Sequence, residues 1–562
     1  PKVGELAMAS WAFAIVRPRT VPPGWMAPRR LGRLPQASRA RQSSRSVEYI
    51  TFEQWANDDG ESMSEGCTPD ATDQLFDAIG SVFCSEEEDN DDEDETTTTT
   101  PPNNKNSLSL KTATWNELAN IVWACASHGQ CQTPMSDKLV MSIAQEAAHR
   151  LNEGDEDDIS TVLPRDISQM VWALGTLQTD NFKLGDDLVR LVDATAGHWL
   201  LSSGGSHRRP LVNWSCADLV QLALSMAHAR IDHLPLLNVI FEESLDRLKK
   251  TEQSSPTAMD AERHNFLMWE ISVLLWAQAR LNLNAAQGSV FEDFAASASG
   301  YIVANMDSTS YNGLGSQEQA NIAWSLTVLE NYDSPDSITL LQRIFQDAAK
   351  ASKADKVIQL EHAHQLWQAL FLLEEECPEA VKDVPKWFHQ FLEKRWNAEK
   401  SRTKLSSARH RSLSDTLDLM GISHYNEHDE DIDVAIVLKE ETSWTNSAAK
   451  SDHKDARHKV AVEFDGPSHF TREEHIGSNS NRWPQRPRAL GHTVLKYRLL
   501  KKQGWVVVRV PYYEFDKIPF WASMERQRYL QRLLKTHANI KFSTVDVSEY
   551  KAIVPNRGSR FD

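Results

Sequence analysis

A six-fold recurrence constrains this chain more than any other feature of its sequence. The stretches ELANIVWACA from Glu117, DISQMVWALG from Asp166, DLVQLALSMA from Asp218, EISVLLWAQA from Glu270, EQANIAWSLT from Glu318 and EHAHQLWQAL from Glu361 share one frame. In that frame Trp123, Trp172, Leu224, Trp276, Trp324 and Trp367 fall 49, 52, 52, 48 and 43 residues apart. A period of this length marks stacked units that cannot bury their apolar surface singly. Runs such as DKLVMSIAQEAAHRL after Ser136 and LPLLNVIFEESLDRL after His233 fill the space between anchors, so each unit reads as a helix pair. The residue two before the anchor (Ile121, Met170, Leu222, Leu274, Ile322) lies nearly opposite it on a helical wheel and is also apolar. A helix with two apolar faces is sandwiched between neighbours, as in an α-solenoid of about six helix-pair repeats.

Two polar positions recur in the same frame. An acid always lies six residues before the anchor, and Thr114-x-x-Glu117 and Ser215-x-x-Asp218 have the form of capping boxes, while Pro164 precedes Asp166 as at a helix start. The acids are therefore read as structural. Three residues before the anchor stand Asn120, Gln169, Gln221, Val273, Asn321 and His364. Amides there suit two roles: reading a base edge, or hydrogen-bonding between helices of the array.

Charge is distributed in blocks. The net charge of -19 argues against a nucleic-acid partner only if it is spread evenly, and it is not. Residues 1–46 hold nine Lys or Arg against Glu5 alone, and their Arg, Ser and Ala content is that of a mitochondrial or plastid transit peptide; a basic RNA-binding arm is the competing reading. Residues 47–110 include nine acids between Glu86 and Glu95 and read as an acidic, low-complexity disordered region. The repeat array is expected over 111–395 and a connecting segment over 396–427. The six cysteines are scattered without metal-binding spacing, which favours reduced thiols. No apolar run reaches membrane-spanning length, so no span is expected.

Beyond residue 428 the pattern changes to alternating strands and helices. Strands are expected at Ile432–Leu438, Lys459–Asp465 and Trp505–Val510, a helix at 489–504, and a closing helix from Pro519 through Lys535. Such alternation in a short span makes a small α/β domain. The motifs VAVEFDGPSHF (Val460–Phe470) and GHTVLKYRLLKKQGWVVVRVPYYEFDKI (Gly491–Ile518) closely resemble the RAP domain, an RNA-binding module abundant in apicomplexans. The resemblance covers about one fifth of the chain, placed at 428–540 with a tail at 541–562. The repeats upstream resemble octotricopeptide and FAST-kinase-like arrays. Together these imply a mostly α protein, a solenoid followed by a small restriction-endonuclease-like α/β domain. They also imply organellar RNA metabolism: processing, transcript stability or translation, with single-stranded RNA and other RNA-processing proteins as partners.

Sixteen bases against seven acids between Arg457 and Lys535 agree with an RNA partner. Arg482, Arg486, Arg488, Lys496, Arg498, Lys501 and Lys502 are expected to give a basic face around the central helix. Trp483, Trp505, Tyr512 and Tyr513 are candidate stacking surfaces, with Trp505 assigned to the core and Tyr512 or Tyr513 to the surface. His469 is a candidate RNA ligand, metal ligand, general base or structural turn residue. The endonuclease-like fold raises an enzymatic alternative, an Mg²⁺-dependent ribonuclease using Asp433, Glu463, Asp465 and Lys496. Asp465 stands where the usual Glu-x-Lys pattern has its lysine, which favours binding over catalysis and no cofactor. A third class is a protein-binding scaffold, since solenoids hold peptides as readily as RNA.

Overall fold

The computed structural model describes residues 110–128, 134–153, 161–177, 187–201, 211–253, 265–284, 286–306, 314–353, 358–400, 407–428, 432–438, 458–472, 487–538 and 540, together with Leu6, Ala7, Ala78, Ile79, Ser81 and Phe83. Apart from those few residues the expected transit peptide and acidic region, and also the polar insertion before the strand expected at Lys459–Asp465 and the C-terminal tail, lie outside the described residues. No helix among the described residues is long and apolar enough to cross a membrane. Cys125, Cys216 and Cys377 are buried thiols outside any disulfide among the described residues.

The repeats are helix pairs, as the period predicts. The first members are α1 (Trp115–His128), α3 (Pro164–Leu177), α5 (Cys216–Ala229), α7 (Met268–Arg280), α9 (Ser316–Val328) and α11 (Leu360–Glu376). Their partners are α2 (Pro134–Glu153), α4 (Asp187–Ala196), α6 (Leu234–Gln253), α8 (Ser289–Asn305), α10 (Pro335–Lys353) and α12 (Lys386–Lys400). The chain separates into two compact units, Pro1–Glu318 with Glu473–Arg486, and Gln319–Arg472 with Pro487–Asp562. In the first unit α1 packs on α3, α3 on α5 and α5 on α7, while α2 packs on α4 and α6 on α8. Ile121, Met170, Leu222 and Leu274 are fully buried along that stack, and Ile322 is equally buried in the second unit.

Three of the recurring acids cap their helices. Glu117 accepts from the Thr114 amide at 2.8 Å, Asp218 from the Ser215 amide at 3.1 Å, and Glu270 from the Leu267 amide at 2.8 Å. Each such cap satisfies an amide that the helix start leaves without an intrahelical partner, contributing about 1 kcal/mol. A second device leaves no signature in the sequence. Arg150 of α2 donates to Leu110 O and Ala113 O at 2.6 Å, and Arg247 of α6 donates to Trp214 O at 2.8 Å. Each arginine is paired to a glutamate one turn earlier, Glu146 at 2.7 Å and Glu243 at 2.8 Å. The second helix thus clamps the loop that opens its own repeat.

In the second unit the chain continues through α13 (Ala408–Leu419), β1 (Tyr425–His428), β2 (Ile432–Leu438), β3 (His458–Asp465), α14 (Gly491–Lys502), β4 (Val506–Pro511) and α15 (Ser523–His537). The strands lie in the order β1-β2-β3-β4, antiparallel except for the parallel β3–β4 pair. Parallel pairing requires a crossover, which α14 supplies. On one face Val434, Ile436, Val460, Val462, Phe464, Val508 and Val510 pack with Leu413 and Leu417 of α13 and Leu530 and Leu534 of α15. On the other, Ala435 and Ala461 meet Leu500 and Trp505. The domain therefore begins before the expected 428. α13 and β1 fall in the stretch read as a connecting segment, because α13 buries few large apolar side chains and β1, YNEH, is a polar edge strand without alternation.

Candidate functional site

The period of two along β3 decides what faces α14. Val460, Val462 and Phe464 point into the larger core, so Glu463 and Asp465 point the other way. Pairing of Val434 with Val462 sets Asp433 opposite Glu463, and Glu463 pairs with Arg509 on β4. The β1–β2 register likewise sets Glu427 opposite Asp433. A row Glu427, Asp433, Glu463, Arg509 thus crosses all four strands. Glu427 sits at φ 46°, a left-handed backbone that costs a non-glycine residue about 1 kcal/mol or more and is found preferentially at functional sites.

Three cations answer the carboxylates. Lys496 of α14 places its Nζ 2.7 Å from Glu463 Oε2 and 4.0 Å from Asp433 Oδ1. His410, near the start of α13, lies 3.1 Å from Glu427 Oε1 and 3.6 Å from Asp433 Oδ2, and the Phe464 amide donates to Asp433 at 2.8 Å. Arg509 lies 3.1 Å from Asp465 Oδ2 and over the Tyr497 ring. The other oxygen of Glu463, Oε1, has no hydrogen-bond partner among the described residues.

The balance of burial and charge differs along the row. Burial opposes ionisation of Asp433, but His410, Lys496 and the Phe464 amide outweigh it and hold its pKa below the ordinary carboxylate range. Burial, followed by the neighbouring Asp433 charge, pushes Glu463 up to about 7 against the pull of Lys496. Asp465 is raised by burial, with the Tyr497 hydroxyl and then Arg509 opposing. Burial disfavours the charged form of His410, yet Asp433 and Glu427 raise it to about 9. Lys496 is likewise held above its ordinary value, Glu463 and Asp433 outweighing burial. At neutral pH the cluster is a nearly compensated ionic lattice.

His410, Glu427 and Asp433 each bring one ligand atom within 4.8 Å of the others. An imidazole in the set suits a transition metal better than Mg²⁺, which prefers oxygen donors, and His410 must first lose its proton. Where the nuclease alternative would place Mg²⁺, beside Asp433 and Glu463, the Lys496 ammonium already answers both carboxylates.

The structure thus brings together Asp433, Glu463, Asp465 and Lys496. The remaining candidates are dispersed. His469 faces Thr493 Oγ1 at 3.2 Å at the opening of α14, and Arg488 joins Thr471 through its backbone at 2.8 and 3.0 Å. Arg498 turns to the repeats: it donates to Glu376 and, at 2.7 Å, to Thr327 O at the end of α9. Lys502 donates to Phe371 O and lies over its ring. Lys501 is exposed. Trp505 is core, and half-buried Tyr512 and Tyr513 pack around Phe470. Arg482, Trp483 and Arg486 lie outside the described residues. In the array Asn120, Gln169, Gln221, Asn321 and His364 are all half-buried, along with Val273. Gln169 donates to Asn120 Oδ1 at 3.2 Å, and Asn321 accepts from Gln365 at 3.3 Å, so Asn120, Gln169 and Asn321 hydrogen-bond between helices. Sequence reasoning missed His410, Glu427 and Arg509; only Arg509 left a signal, a charge within WVVVRV.

The RAP domain family model matches residues 462–533. The match runs from β3 into α15 and takes in Glu463, Asp465, Lys496 and Arg509. Asp433, Glu427 and His410 come from β2, β1 and α13 ahead of it, so the RAP cluster is completed by residues outside the matched span. A RAP domain carries an RNA-binding role, and helical repeats precede it here.

Proposed function

We propose that this chain is an organellar protein that binds single-stranded RNA and acts in RNA processing, stability or translation, together with other RNA-processing proteins. The observation that carries the reading is the RAP match on an α/β domain joined to helix-pair repeats. The half-exposed amide positions along the first helices support it, because an amide hydrogen-bonded between helices retains donors and acceptors for a base edge. Purified full-length chain should bind unstructured RNA at low salt, with affinity falling steeply as salt rises. Absence of binding at low salt removes the reading. The composition of residues 1–46 supports import into a mitochondrion or plastid. Fusing them to a fluorescent protein tests it, and a purely cytosolic signal defeats it.

One observation favours a second reading, a metal-dependent ribonuclease: Asp433 and Glu463 stand on adjacent strands of an endonuclease-like sheet with Lys496 between them. If Mg²⁺ bound, these two carboxylates would hold it, and it would polarise a phosphate and lower the pKa of a bound water. The charges of the cluster weigh against this role. Lys496 is held protonated by its two carboxylates and is a poor general base, and Asp465, at the position where such sites carry a lysine, is engaged by Arg509. Labelled RNA incubated with Mg²⁺ or Mn²⁺ decides between the readings. Cleavage that vanishes in a folded Glu463→Ala/Asp465→Ala variant establishes the nuclease.

A further inference from the structure

An aromatic prominence stands where the chain enters α15. Phe520 and Trp521 are 78% and 73% exposed, and Met524, one turn on, is 56% exposed. Single exposed apolar residues are ordinary, but three within five positions form a contiguous patch that needs a reason. The two rings meet edge to face with centroids 5.0 Å apart. The backbone beneath them is fixed. Ala522 N–H donates to Pro519 O at 3.0 Å, and Ile518 N–H to Phe515 O at 3.1 Å. The Arg526 guanidinium donates twice to Ile518 O, at 3.2 and 3.0 Å, and lies over the Phe515 ring. The rings are therefore presented on a held turn.

The patch continues into a row of cations. Tyr529, Leu530 and Leu534 turn one side of α15 into the core. The opposite side exposes Met524, Arg528, Gln531, Arg532 and Lys535, at helical spacings of four, three, one and three. Arg528 to Lys535 spans about 10 Å along the axis. The only acid on this stretch is Glu525.

We infer that Phe520, Trp521 and the Arg528–Arg532–Lys535 row form a docking strip for single-stranded RNA. An unpaired base stacks on the aromatic pair, and the phosphates of the following nucleotides lie along the cations. The chemistry selects this occupant. Paired bases offer no free face for an aromatic ring, and an apolar protein groove gains nothing from three cations in line. The inference rests on the RNA-binding reading and places part of it at residues that neither the repeats nor the carboxylate cluster supply.

The test uses the full chain and a labelled 20-nucleotide oligouridine, with affinity read by fluorescence anisotropy across a salt series. Exposed positions tolerate substitution, and far-UV circular dichroism checks folding. Phe520→Ala/Trp521→Ala should weaken binding about 10-fold or more with an unchanged salt slope. Arg528→Gln/Lys535→Gln should reduce the log–log slope by about 1.4, at about 0.7 for each phosphate no longer neutralised. Ultraviolet crosslinking should map to the peptide carrying Phe520 and Trp521. If the parent binds oligouridine and both double variants match it, the strip is not the site. Unchanged RNA binding with loss of self-association in the aromatic variant would assign the patch to a protein interface instead. If the parent itself fails to bind RNA, the RNA-binding reading falls first and this inference with it.

Discussion

Replacing Glu463 by Gln should remove a defined part of the pH dependence of the RAP fold. The carboxyl is 2% exposed, and burial and Asp433 raise it from 4.5 to about 7. A carboxyl whose folded pKa is raised binds its proton more tightly when folded. Its contribution to stability is complete below pH 4.5 and is lost as pH rises through about 7. At about 1.4 kcal/mol per pH unit, the loss across that window is about 3 kcal/mol. Gln keeps the shape and still accepts from Lys496, so the variant should lack this decline. The assay is hydrogen exchange of the peptide covering Val460–Asp465, corrected for intrinsic rates, because local opening free energy is well defined even where a multi-unit chain does not unfold in one step. Identical pH profiles for parent and variant would refute the assignment of Glu463 as the group whose charge state changes between pH 4.5 and about 7.

Other parts of the structure yield separable outcomes. His410→Asn should remove a decline in β2 protection at higher pH, since a histidine raised to about 9 contributes stability that is complete below pH 6.5 and lost as pH rises through about 9. Arg247→Met should destabilise the first unit by about 3 kcal/mol, read as a lowered urea midpoint, because the buried Glu243–Arg247 ion pair is broken; adding Glu243→Met should recover part of it. Arg498→Met should cost about 2 kcal/mol through removal of charged hydrogen bonds and raise exchange in α14 and at the end of α9, with β3 unaffected. Asp218→Ala should lower the same urea midpoint by the equivalent of about 1 kcal/mol.

Local and periodic features of this protein are written in the order of its residues. The anchor spacing specifies six helix pairs, since a helix apolar on two sides has to be stacked. Glu117 and Asp218 are legible as caps because a capping box closes within four residues. The alternation in KVAVEFD and the run WVVVRV mark β3 and β4, and place Glu463 and Asp465 on one face. Whatever depends on register and approach comes from packing instead. Only the β1–β2–β3 pairing lines up Glu427, Asp433 and Glu463, and β1 carries no apolar alternation to announce itself. Only packing of α13 against the sheet brings His410 to Asp433, and no spacing in the sequence encodes that approach. The basic residues show the same division. A helical wheel groups Lys496, Arg498, Lys501 and Lys502 as one charged helix, but the fold turns Lys496 to the carboxylates and Arg498 and Lys502 to repeat carbonyls, because a desolvated cation goes where an acceptor waits. The exposed row on α15 is left with its charge in water, and exposure of that kind is a property of the packed molecule alone.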